Sequence, residues 1–198
     1  MQKFEDIFGK YIEKSCHNSS LLESDVIGLQ IATEDNAIRV ALSSPCLIPY
    51  SAIAEAQRIL SMNLSARSVA ISARYPSELL GPEAFSLVID YLKAANVPVN
   101  GFFRRAEIMY DNRCFTVRLP EQTVTFLEPL ALPGKIAAQA EALFGIRPQV
   151  SFIPVPDYEL KPIDPRPTVV DDYIPEIPPI PEEAPPWEDA TPLSKPLQ

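Results

Sequence analysis

Histidine occurs once in these 198 residues, tryptophan once, cysteine three times and glycine six times. Each scarcity removes a class of chemistry. The lone histidine, His17, stands in a polar stretch beside Cys16 and two serines, which gives a Ser-His-Asp or Cys-His set no well-placed base. Adjacent residues rarely both reach one metal ion, and there is no second histidine, so Cys16 and His17 read as an ordinary loop pair. Cys46 and Cys114 form no CxxC and lie next to expected secondary structure, where they read as small packing residues. No glycine falls in GxGxxG or GxxxxGK, so no nucleotide-phosphate cradle is visible. No apolar run approaches the ~18 residues of a membrane span, and the charged start, MQKFEDIFGKYIEK, has no signal-peptide core. A reducing cytoplasm fits these absences, and the sequons at Asn18 and Asn63 are then chance matches.

What the chain has in excess is proline and, at one end, acid. There are 22 prolines, and 13 of them lie in residues 154–198. Residues 155–198 hold ten acidic and three basic side chains, a net −7 of the chain's −9, which leaves −2 for residues 1–154. The low isoelectric point therefore belongs to the tail, and the rest offers no broad basic surface for phosphate. Segments such as IPEIPPIPEEAPPW have no hydrophobic period and read as an extended, disordered, acidic linker. Asp171 and Asp172 are its densest acidic pair, but an unstructured segment cannot hold two carboxylates in the geometry that metal-assisted catalysis needs. Trp187, in PPWED, has the look of a short docking motif, against the plainer reading of a charged spacer.

Ahead of the tail, the spacing of apolar residues predicts an α+β fold. Phe4, Ile7, Phe8, Tyr11 and Ile12 mark one face of a helix over residues 4–13. Ile27, Leu29 and Ile31 alternate, Glu34-Asp35-Asn36 turns the chain, and Ile38, Val40 and Leu42 alternate back as a hairpin. Pro49 suits the first turn of a helix carrying Ile53, Ala56, Leu60 and Leu64. Val69, Ile71, Ala73 and Tyr75 make a third strand. After Gly81-Pro82-Glu83 the pattern restarts with a helix (Phe85, Val88, Ile89, Leu92) and a hairpin (Ala106, Ile108, Tyr110; Phe115, Val117, Leu119) turning at Asp111-Asn112. A helix with Ile136, Ala140, Leu143 and Phe144 is capped by Gly145, and a last strand holds Val150 and Phe152. Residues 121–128 stay open, because Thr123, Val124, Thr125 and Phe126 favour a strand while Pro120-Glu121 favours a helix start. The halves 1–78 and 79–154 thus read α-β-β-α-β and α-β-β-(α)-α-β, two small sandwiches in tandem with helices on one face of a short sheet, followed by the linker 155–198.

A family can be attached to these residues. FEDIFGKYIE, IRVALSSPCLIPYSAIAEAQRIL and SVAISARYP resemble the first N-terminal domain of PolC-type DNA polymerase III, the replicative α subunit typical of low-GC Gram-positive bacteria. VIDYLKAANVPVNGFF, RRAEIMYDNRCFTVRLP and TFLEPLALPGKIAAQAEALFGIRPQVSF resemble its second. The resemblance covers residues 1–155 and takes the tail as the family's linker. It implies that the first domain is similar to the polymerase-binding C-terminal domain of the clamp-loader τ subunit. It implies that the second has the type II KH order α-β-β-α-α-β, which makes 121–128 a helix. The polymerase and exonuclease domains of the full-length family are not in these residues, so the chain is expected to be a non-catalytic fragment or truncated reading frame, without cofactor or small-molecule substrate. Its partners would be clamp-loader or primosome proteins, or the remainder of the polymerase.

Site expectations follow from that likeness. A working KH loop is GxxG between two helices, where glycine lets the backbone approach phosphate. The matching residues here, 130–135, hold one glycine, Gly134, followed by Lys135, and Pro133 removes an amide donor. Arg104 and Arg105 are expected to add positive charge, with Arg113, Arg118 and Arg147 as further candidates. Nucleic-acid binding is therefore expected to be weak or lost. Protein docking is expected on the first domain, at the exposed loop of Pro45, Cys46 and Pro49 and at Tyr50 and Arg58 on the solvent side of the following helix.

Overall fold

A computed structural model of the chain describes residues 2–12, 18–99, 101–156 and 160. The expectations for Cys16, His17, Asp171, Asp172, Trp187 and most of the tail lie outside these residues.

The alternating runs form the first sheet. β2 (Asp25–Ala32) and β3 (Ala37–Ser43) are an antiparallel hairpin, and β4 (Ser68–Arg74) lies parallel to β3. A two-residue strand, β1 (Gln2–Lys3), pairs with the start of β2 and gives the order β1-β2-β3-β4. Val69, Ile71 and Ala73 on β4 and Val40 and Leu42 on β3 point into the core. Ile53, Ala56, Ile59 and Leu60 of α3 (Tyr50–Asn63) are buried in the same cluster. The N-terminal helix is shorter than its periodicity predicts: α1 spans Phe4–Phe8 and tightens into a 3-10 turn at Gly9–Tyr11. Glycine is a poor helix interior, and Gly9 ends α1 by donating its N–H to the Glu5 carbonyl. Tyr11 and Ile12 still pack on the core. A single turn, α2 (Ser19–Leu22), is capped by the Asn18 side chain, which accepts from the Leu21 N–H at 3.1 Å, and it buries Leu21 completely. β1 and α2 are too short to leave a periodic signal.

The second sheet has the order β5-β6-β7, made of β5 (Glu107–Asp111), β6 (Cys114–Pro120) and β7 (Gln149–Val155). β5 and β6 are antiparallel, and β6 and β7 are parallel. Asn112 and Arg113 both have positive φ (48° and 60°), as a two-residue hairpin turn of the primed kind requires. Phe115, Val117 and Leu119 alternate inward beneath α4 (Pro82–Ala94) and α6 (Leu132–Phe144). Residues 121–127 are helical: α5 runs Glu121–Leu127. Pro120 stands at its N-cap, Leu127 is wholly buried, and the Thr125 hydroxyl donates to the Glu121 carbonyl at 3.2 Å, a bond that accommodates threonine within a helix.

The two sheets share one continuous core, and residues Met1–Ile163 make up one compact unit. The helix α4 carries the join. Phe85, Val88, Ile89 and Leu92 form the stripe expected of it, and Ala84, Leu87 and Tyr91 form a second one. Tyr91 meets Tyr50 of α3 edge to face, with ring centroids 4.8 Å apart at 66°. Tyr75, just past β4, donates its N–H to the Leu143 carbonyl at 2.8 Å, and its ring lies 5.4 Å from that of Phe144. The connection between the halves is itself packed, with a 3-10 turn at Ser77–Leu79 and Leu80 buried.

Candidate functional site

Three surfaces carry the residues singled out from the sequence. The first is the loop before α3. Ser44 is buried, and its hydroxyl donates to the Cys46 carbonyl at 2.7 Å and accepts from the Cys46 N–H at 3.3 Å. That clasp turns Ile48 into the core and leaves Pro45, Cys46 and Pro49 outside. Cys46 is therefore an exposed free thiol, which agrees with the exposed loop expected here and not with a packing role, while Cys114 is half-buried on β6. Tyr50 departs from expectation too: it is half-buried and packs on the core, because the first turn of α3 aims its ring at Tyr91 on α4. Arg58 is exposed as expected, and its guanidinium donates to the Met62 sulfur at 3.5 Å. Ser51, Glu55, Arg58 and Met62, at steps of four, three and four, are the exposed stripe of α3. Met62 was missed from the sequence, although its place four residues after Arg58 marks it as an apolar member of a solvent stripe.

The second surface is a groove of about 450 Å³ between the 101–105 turn, the start of α5 and the end of β7. Arg104, Arg105, Glu121, Gln122 and Thr123 supply its polar lining, and Phe102 one apolar wall. Arg104 is exposed and Arg105 half-buried. The Phe102 ring lies 5.2 Å from that of Phe126, tilted by 36°, and Phe126 is largely exposed. Aromatic faces beside guanidinium groups are the parts from which single-strand sites are built, with bases stacking and phosphates paired. The run GFFRR, residues 101–105, is the sequence signal for this pairing, with Phe126 arriving only through the fold.

The third surface corresponds to the expected KH loop, and the structure changes its reading. Its residues do not form an open loop between helices. After the 3-10 turn Glu128–Leu130, a single left-handed residue, Ala131 (φ 50°, ψ 36°), makes the joint, and α6 begins at Leu132, which is fully buried. Pro133, Gly134 and Lys135 sit in the first helical turn. Proline is well suited there, since that amide has no partner within the helix in any case. Gly134 and Lys135 are exposed, but neither lines the arginine groove. Of the other arginines, Arg118 pairs with Glu107 at 2.7 Å and Arg147 with Glu141 at 3.1 Å, while Arg113 is exposed at the hairpin tip. Arg104 and Arg105 thus line a groove that Lys135 does not, and Arg118 and Arg147 are each paired with a carboxylate.

A cluster of three tyrosines lies at the join. The Tyr75 hydroxyl is directed at the Ile48 carbonyl at 3.5 Å, and burial is the main cause that pushes its pKa up to about 12. Tyr91 is pushed higher, first by burial and then by the neighbouring tyrosines. Its hydroxyl is buried; Tyr75 and the Ala73 backbone come near it without meeting hydrogen-bond geometry. Both phenols are therefore protonated at neutral pH. Among the described residues, no three His, Cys, Asp or Glu side chains converge as metal ligands would, and no helix is long and apolar enough to cross a membrane. The class these features define is a mixed α/β protein with a four-stranded and a three-stranded sheet. No protein-family model matches the chain, and no curated protein matches it significantly.

Proposed function

We propose that this chain is a non-catalytic, cytoplasmic N-terminal region of a PolC-type replicative DNA polymerase, and that it acts in DNA replication by docking replisome proteins. The observation that carries the reading is the helix at Glu121–Leu127. Local signals there were split between strand and helix, and the likeness to the family called for the order α-β-β-α-α-β in the second half. On this reading the first half is τ-like and the second KH-like, and the docking face is the exposed loop of Pro45, Cys46 and Pro49 together with Arg58 and Met62. Clamp-loader or primosome proteins, or the rest of the polymerase, are its partners. Immobilised full-length chain should retain one of these from purified mixtures, and Arg58→Glu with Met62→Ser should reduce that capture without changing the circular dichroism spectrum. Equal capture by the variant would remove this surface from consideration, and no capture of any of them would overturn the docking function.

A second reading, single-strand nucleic-acid binding, is favoured by the Phe102, Phe126, Arg104 and Arg105 arrangement. Few phosphate contacts are available, so affinity should be weak and should fall with salt according to their number. Titration of a labelled oligothymidine separates the sites. Loss with Arg104→Glu places binding in the groove, added loss with Phe126→Ala extends it to the aromatic pair beside the groove, and loss with Lys135→Glu places it at the start of α6.

A further inference from the structure

The outer edge of the first sheet is incomplete. β2 is eight residues long, yet β1 pairs only with its Asp25 and Val26. From Ile27 to Ala32 that edge has no strand partner among the described residues. Edge strands of this length are normally blunted by lysine or proline, because unpaired amides and carbonyls invite another strand. Here the positions read IGLQIA, with no charge between Asp25 and Glu34.

The side chains on this edge are equally unprotected. Register sets Leu29 opposite Val40 and Ile31 opposite Ile38, which puts both on the face that the helices cover. Val40 is buried and Ile38 half-buried, but Leu29 is 45% exposed and Ile31 66%. The apolar layer of the core therefore runs past its helical cover and stops at the open edge. Ile27, at the register shift between Val26 and Gly28, is 44% exposed as well.

We propose that β2 pairs antiparallel with β2 of a second copy of this chain, about an axis at Gln30, joining two four-stranded sheets into one. A register centred there sets Leu29 of each copy against Ile31 of the other, so the two open apolar layers meet. The same register confines the new pairing to Gly28–Ala32 of each copy, so it stops short of Val26 and Asp25, which β1 already covers. The chain's own tail is a poor occupant, since 13 prolines in residues 154–198 interrupt the run of amide donors a ladder needs. Two short edges bury less than the ~1,200 Å² typical of a stable interface, so the dimer should be weak and concentration-dependent.

Sedimentation equilibrium on the full chain should show reversible dimerisation, and Ile31→Lys should raise the dissociation constant by about tenfold or more. In a chain with Cys16, Cys46 and Cys114 replaced by serine, Gln30→Cys should oxidise to a covalent dimer. Paired residues at such an axis have Cα atoms about 4.5–5.5 Å apart, within disulfide range. Arg39→Cys, on the neighbouring strand, should stay monomeric. A chain that is monomeric up to the highest soluble concentration would overturn the proposal. So would a dimer that is indifferent to Ile31→Lys and cross-links equally from both cysteines.

Discussion

Replacing Tyr91 by phenylalanine should make the protein more stable, although it removes a polar group near the centre of the fold. The Tyr91 hydroxyl is buried and forms no hydrogen bond among the described residues. An unsatisfied buried group of this kind costs about 1–3 kcal/mol, the desolvation it suffers without return. Phenylalanine keeps the ring that meets Tyr50 at 4.8 Å, so the packing of α3 against α4 is retained. Allowing for partial satisfaction by the nearby Tyr75 hydroxyl and Ala73 backbone, the net gain should be about 1 kcal/mol, or about 2–4 °C in melting temperature for a fold of this size. Tyr75→Phe should move the other way by about 0.5 kcal/mol, since it removes the one contact to the Ile48 carbonyl, long at 3.5 Å. Urea unfolding followed by far-ultraviolet circular dichroism measures both, provided the slope is unchanged and the midpoint alone moves. The two tyrosines are neighbours, so the double variant should depart from additivity. A loss of 1 kcal/mol or more in Tyr91→Phe would mean that its hydroxyl is well bonded, and would refute the reasoning.

The same cluster should give an alkaline signature. Tyr75 ionises near 12 in the folded state against about 10 unfolded, so its contribution is complete below about 10 and is lost as pH rises toward 12, at most about 3 kcal/mol. Phenolate absorbance of the native protein, compared with Tyr75→Phe, should differ only above pH 11, and a difference centred near 10 would sink the assignment. Ala131→Gly should stabilise by about 0.5–1 kcal/mol, because a left-handed residue strains alanine but not glycine; a thermal melt reads the sign. Limited proteolysis of the native chain should spare residues 76–81, where Leu80 is buried and Tyr75 is bonded to Leu143, and early cleavage there would show that the halves part readily.

Much of the scaffold was legible because its signals are local. The alternation of Val69, Ile71 and Ala73 and the four-residue steps of α3 report which face is buried, and burial of one face is what makes a strand or helix persist. What failed depended on neighbours far along the chain. Tyr50 looked solvent-facing because nothing near it in sequence announces Tyr91, 41 residues on. The second stripe of α4 was equally hidden. Ala84, Leu87 and Tyr91 are spaced as a buried face, but a helix apolar on two sides signals a second layer without naming it. The groove is the extreme case, since GFFRR could be read directly but the pairing of Phe102 with Phe126 exists only once α5 is in place.

The start of α6 shows how a sequence likeness and a physical site can part company. A phosphate grip needs several free amides at the end of a helix, with backbone that can come close. Leu132 is sunk in the core, Pro133 has no N–H, and the Lys135 N–H is directed at the Ala131 carbonyl at 3.4 Å. Gly134, where an added Cβ would meet nothing within 4 Å, has room but few neighbouring donors to share a phosphate. The groove at Arg104 and Phe102 has the opposite balance, with charged and aromatic side chains in its lining. Because Tyr50, Tyr75 and Tyr91 tie the halves together, that groove and the loop at Cys46 are carried by one packed core. A protein docked on the first half and a strand held on the second would then be kept in a fixed relation.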